Sequence, residues 1–170
     1  MPLSMYQASV PVFVQFLSAL SGILDRAKAY AEARKLEPSV LLQTRLFPDM
    51  FPLVRQVRSA TDHALTAGRI AGAELPKFSD NEASFEDLKE RIAKTIDFLK
   101  SLKPAQIDGT EEKDITIQLG GGSRVFKGQP MLLSFAMPNF FFHTTTAYNI
   151  LRHCGVEIGK RDFMGAPRPA

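Results

Sequence analysis

Three histidines, His63, His143 and His153, are the residues of this chain best suited to chemistry. Neutral imidazoles bind divalent zinc or nickel, and an open catalytic site takes three protein ligands. Their spacing excludes one ion on all three. His153 stands ten residues beyond His143, which on one helix is about 15 Å further along and roughly 80° round. A metal site would therefore rest on His63 and His143, with a third group still to be found. Asn139 stands one turn before His143 on the same side, but a neutral amide is a weak ligand for a transition ion. Asp62 is the nearest carboxylate that could complete the sphere or act as a base. Tyr148 either adds a hydroxyl able to bond a ligand from the edge of the same face or packs in a helix interface with its hydroxyl at the rim. The pocket candidates are thus His63, Asn139, His143 and Tyr148. Beside that reading stands a plainer one, in which His143 is a core histidine hydrogen-bonded to Asn139, Thr144 or a partner helix.

Other chemistries have less support. No nucleophile elbow is present, and Thr144, Thr145 and Thr146 point in three directions if helical. Gly120 to Gly122 precede a second strand, not a helix, so they lack the context of a phosphate-binding loop. Cys154, the single cysteine, cannot form an internal disulfide; a reactive thiolate beside His153 and a small buried hydrophobe are its two readings.

The elements that must position these side chains are helical. Gly128 to Gly155 is the most apolar long run and places Leu132, Leu133, Ala136, Phe140, His143, Ala147, Ile150 and Leu151 along one side, so His143 is expected to be buried. Pro138 removes a backbone donor there and predicts a kink or restart at Met137 to Asn139. Arg152, His153 and Gly155 close the helix. Tyr6, Val10, Phe13, Leu17, Leu20, Leu24, Ala27 and Ala31 predict a long amphipathic helix from about Met5 to Arg34. A second is expected over Met50 to Ala71, capped by Asp49 and stopped by Gly72, with His63 at the edge of its apolar face. A third begins at Ser84, where Ser84 and Asp87 resemble a capping box, and ends before Pro104. Ile115, Ile117 and Leu119 alternate before the glycines and predict a β-hairpin over about 114–127. The tail, about 156–170, is turn-rich and is expected to lie over the surface or fray.

These elements make one all-α domain over residues 1–170, a size that carries a full core. A net charge of +3 comes from 21 basic and 18 acidic residues spread along the chain. No window joins basic residues to aromatic platforms, which argues against nucleic acid as a partner. The N-terminal run has no basic leader, and Gln15, Ser18 and Ser21 interrupt it, unlike a signal peptide or membrane span. With the lone cysteine this points to the cytoplasm. Phe140, Phe141 and Phe142 cannot all face one core; Phe141, about 140° from the core line, is expected to meet another helix or a second subunit.

HTTTAYNILRHCG, with His143, Leu151, Arg152 and Gly155, resembles the last-helix pattern of the DinB/YfiT-like superfamily. RLFPDMFPLVRQV, LPKFSDNEASFEDLKERI and PNFFFHTTTAYNILRHCGVEIGKRDF look like a bacterial branch of it known as a domain of unknown function. The resemblance implies an up-down-down-up four-helix bundle, often dimeric, with a divalent metal on three histidines, one from the second helix and two from an HxxxH pair on the last. Thiol transferases and hydrolase-like enzymes are among the members. Carried over, His143 matches the second histidine of the pair, Asn139 stands where the first would be, and His63 matches the second-helix ligand. The departure at Asn139 implies weak or absent metal binding. The expectation is an altered or vestigial metal pocket that binds a small molecule, with a divalent-metal enzyme of thiol transferase or hydrolase type, or a non-catalytic dimeric interaction protein, as alternatives.

Overall fold

The computed structural model describes residues 3–166. The first helix, α1, Met5–Ala33, opens on Ser4, whose hydroxyl accepts from Gln7 N while the Gln7 side chain accepts from Ser4 N. It starts at Met5 and runs through Pro11 without a break. Its buried face, which includes Phe13, Leu17, Leu20, Leu24 and Ala27, is the predicted stripe and lines the core. By length and composition alone α1 is apolar enough to cross a membrane, with a mean hydropathy of 1.5.

A short helix, α2, Pro38–Leu42, uses Pro38 in its first turn. The expected second helix is two pieces. α3, Leu53–Ala64, begins after Pro52, and α4, Thr66–Ala71, follows a single non-helical residue, Leu65. Because α3 starts at Leu53, Asp49 is too far upstream to cap it, and no side chain does. Gly72, at φ 70°, ends α4 as a left-handed cap. The third long helix, α5, Phe85–Ser101, carries the expected capping box between Ser84 and Asp87. α6, Pro104–Ile107, leads to the hairpin of β1, Asp114–Leu119, and β2, Gly122–Lys127, paired antiparallel with Ile117 opposite Arg124.

The final helical stretch changes winding. α7, Gly128–Pro130, passes into a π-helical turn, Met131–Ala136, and then α8, Met137–His153. Pro138 has no N–H to give, and Met137 N bonds back to Leu132 O, five residues earlier. The restart expected at Met137 to Asn139 is there, but its form alters the face before it. The wider turn rotates Leu133 outward, 47% exposed, and buries Met131 in its place.

α3 packs along α8, α1 along α5, and α9, Lys160–Met164, lies on α1. Phe13 of α1 meets Phe140 of α8 edge to face at 4.8 Å. The tail is therefore more ordered than expected: Val156 and Ile158 are buried and Phe163 packs on Phe16. Its last residues, 167–170, lie outside those described. The chain is mostly helical with one small two-stranded sheet.

Candidate functional site

His143 projects from α8 toward α3 and is 8% exposed. Its partner is Gln56, seven residues before His63 on the same helix and itself buried. The Gln56 Nε2 group donates to Phe51 O at 3.1 Å, so its Oε1 faces His143 and must accept. His143 Nδ1 therefore carries the proton and donates across 2.7 Å. Nε2 of His143 is left as the acceptor nitrogen. Of the two readings open at the outset, the core histidine held by a partner helix describes this bond, though the helix residue that supplies it was not anticipated.

His63, half-buried at the edge of α3, brings its ring to 5.5 Å from that of His143, within 13° of parallel. Phe135 closes on His63 from the π turn at 5.5 Å, and Phe51 lies parallel to His143 at 6.2 Å. Burial lowers the pKa of both imidazoles. For His63 the neighbouring His143 and Arg69 add to burial and bring it from 6.5 to about 4. Two imidazoles in one low-dielectric place oppose each other's protonation. Both are neutral at physiological pH.

The other sequence candidates lie elsewhere. Asn139 shares the side of α8 with His143, but its Nδ2 donates to Phe135 O at 2.7 Å, stitching the π turn to α8. Tyr148 is not at the site. Five residues past His143 it has turned about 140° round the helix, and it packs on Phe163 at 5.7 Å. Asp62 is bound through Oδ1 to Nη2 of Arg91 at 2.6 Å. Thr144 and Thr146 return their hydroxyls to the Phe140 and Phe142 carbonyls of their own helix. His153 is exposed at the end of α8.

Tested against an ion held by three histidines, these residues do not fit. Nε2 of His143 is well placed, because an imidazole whose Nδ1–H is fixed by a hydrogen bond is how ligating histidines are oriented. His63 is beside it. A strong third donor is lacking: Asn139 spends Nδ2 on a carbonyl and offers only its amide oxygen, a weak ligand, while Asp62 is bonded to a guanidinium. Among the described residues no cluster of three His, Cys, Asp or Glu side chains could hold an ion.

Arg91, which the sequence reading passed over, organises the flank. Its side chain is 2% exposed and reaches Asp62, Asp80 and Glu82, with Nε donating to Thr61 Oγ1 at 2.7 Å. Gln56, Arg69 and Phe135 were also missed. A polar residue inside an apolar helical stripe, as Gln56 is at one turn from Leu53 and Ala60, was the signal that could have found the first of them.

The helical fold has the form of a DinB-like protein. A crystal structure of a DinB family member protein from Shewanella denitrificans is similar over 97% of this chain and 94% of that one, with 38% sequence identity and a TM-score of 0.86. No curated protein matches. Residues 5–164 match the family model described as Domain of unknown function (DUF1993), and the chain belongs to that family, a branch of the DinB-like superfamily.

Proposed function

We propose that this protein is a small-molecule binding protein of the cytoplasm, built on an up-down-down-up four-helix bundle whose metal pocket is altered. In that topology the four helices are α1, α3 continued by α4, α5, and α8 with its π turn. The observation that carries the reading is the pairing of Gln56 with His143 Nδ1 while Asn139 bonds Phe135 O. This leaves two neutral imidazoles, one with a free Nε2 acceptor, beside aromatic walls and without a third metal donor. Such a pocket receives a ligand hydroxyl or N–H rather than an ion. Elemental analysis of protein purified without a histidine tag tests it. Substoichiometric zinc and nickel, unchanged by His143→Ala, is expected; one ion per chain, lost in that variant, contradicts it.

The second reading is a divalent-metal-dependent enzyme of thiol transferase or hydrolase type, favoured by the way Gln56 orients the His143 ring. It requires substrate or water to supply the donor that Asn139 does not. We also propose a homodimer, on the strength of Phe142, 56% exposed beside the His143 mouth, and Phe47, 64% exposed.

A further inference from the structure

On the far side of His63 from His143's aromatic wall lies a cavity of about 420 Å³ between α3, α4, β1 and the π turn. Its size is at the lower end for small-molecule sites, roughly 300–1,000 Å³. One wall is apolar, made by Ile117, Met131 and Phe135, and the other carries Arg69, Thr66 and Gln118. Arg69 is half-buried, and its Nη1 donates to the main-chain oxygen of Asp62 at 3.1 Å. The carboxylate of Asp62, the one acid lining the cavity, belongs to Arg91. Among the described residues Arg69 makes no salt bridge, and Thr66 and the exposed Gln118 stand beside it on the cavity wall.

A guanidinium kept half out of water with only a carbonyl to bond is an unusual arrangement for a residue that charges at any pH. Asp62 acts on it only through space, its carboxylate being bonded to Arg91, and a ligand carboxylate would fill the open donors of the guanidinium. We propose that this cavity binds a small monocarboxylic acid with an apolar or aromatic body, its carboxylate on Arg69 and its body against Ile117, Met131 and Phe135. The planar fork of arginine matches a carboxylate in two parallel bonds. A phosphate is disfavoured: Arg69 is the one Lys or Arg lining the cavity, and the Asp62 carboxylate on its rim repels a second negative charge. Thr66 and Gln118 supply donors for the remaining lone pairs. The inference rests on the reading of this region as a small-molecule pocket and names the class of ligand.

The test uses chelator-treated, tag-free protein titrated with phenylacetate and, separately, with its neutral analogue phenylacetamide. The imidazole C–H resonances of the three histidines report binding by NMR, with exposed His153 as internal control. Phenylacetate is expected to shift the His63 signal saturably at one site and leave His153 unmoved. Phenylacetamide is expected to bind about tenfold or more weakly, since hydrogen bonds between two charged groups are stronger than those to a neutral amide. Arg69→Gln is expected to remove that difference, and Arg69→Lys to restore part of it. Should Arg69→Gln fail to fold, Gln118→Ala is expected to weaken phenylacetate severalfold. Equal binding of acid and amide, or acid binding indifferent to Arg69→Gln, overturns the acid ligand and leaves the pocket reading standing. No saturable shift by either compound overturns the inference too, while metal content judges the pocket reading separately.

Discussion

At the scale of single residues the site is a balance between burial and pairing. His143 keeps its one proton on Nδ1 because Gln56 accepts it. Gln56→Leu removes that acceptor and leaves a buried N–H unpaired, a loss of about 1–3 kcal/mol. Urea denaturation at neutral pH measures it, and the full-sized partner substitution His143→Phe together with Gln56→Leu is expected to recover part. Protonation is the second residue-scale consequence. Because His63 has its pKa lowered to about 4, the unfolded chain takes up a proton that the folded chain refuses between there and 6.5. Its contribution to stability is complete above about 6.5 and is lost as pH falls toward 4, and the lowered pKa of His143 acts in the same direction. Denaturation midpoints should fall over this window and flatten in His63→Gln.

At the scale of elements, Pro138 and Asn139 set where α8 begins and hence what His143 faces. Asn139→His places an imidazole where the DinB-like pattern has one and removes the bond to Phe135 O. One zinc or nickel ion per chain is expected in this variant, read by elemental analysis, at a stability cost of about 1 kcal/mol from the lost hydrogen bond. The Arg91 network pins residues 80–82 to α3 and α5 through Asp62, Asp80 and Glu82. Arg91→Ala strips a buried cation from Glu82, which is 8% exposed; the loss is expected near 3 kcal/mol, with new proteolysis between Gly72 and Ser84. Much of this level was legible in the chain. Ser84 with Asp87, Gly155 at φ 92°, the alternation at Ile115 and Ile117, and Pro138 each announced its local geometry. What stayed hidden had no local signal. Nothing at Leu65 marks a helix break, Leu133 is turned out by a winding change that begins before Pro138, and Arg91 looks like a surface residue until Asp62 of α3 and the loop acids Asp80 and Glu82 reach it.

At the scale of the molecule, the apolar stripes of α1, α3, α5 and α8 close one core, and their periodicity was enough to read a mostly helical chain. The aromatic run shows how far that reasoning reaches. Phe140 is buried, Phe141 meets Phe16 of α1 at 4.9 Å, and Phe142 is the one left in solvent. The expectation that Phe141 meets another helix is met within the chain, and the surface left for a second copy is at Phe142 and Phe47. Phe142→Ser is expected to shift a dimer toward monomer in sedimentation, whereas the same protein sedimenting as a monomer before substitution would remove the dimer. The site was legible in its two histidines and not in its chemistry, because Tyr148 was assigned from its type while its position on the helix turns it toward Phe163.

The central claim is that the paired rings are neutral side chains rather than ligands of a resident ion. Nitrogen-15 NMR of the imidazoles across pH 3.5–8 addresses it directly. His63 is expected to titrate near pH 4 and His143 below its ordinary 6.5, with His143 protonated on Nδ1 and free at Nε2 at neutral pH. A His63 midpoint at or above its ordinary 6.5, or two rings that report metal coordination until a chelator is added, would contradict it.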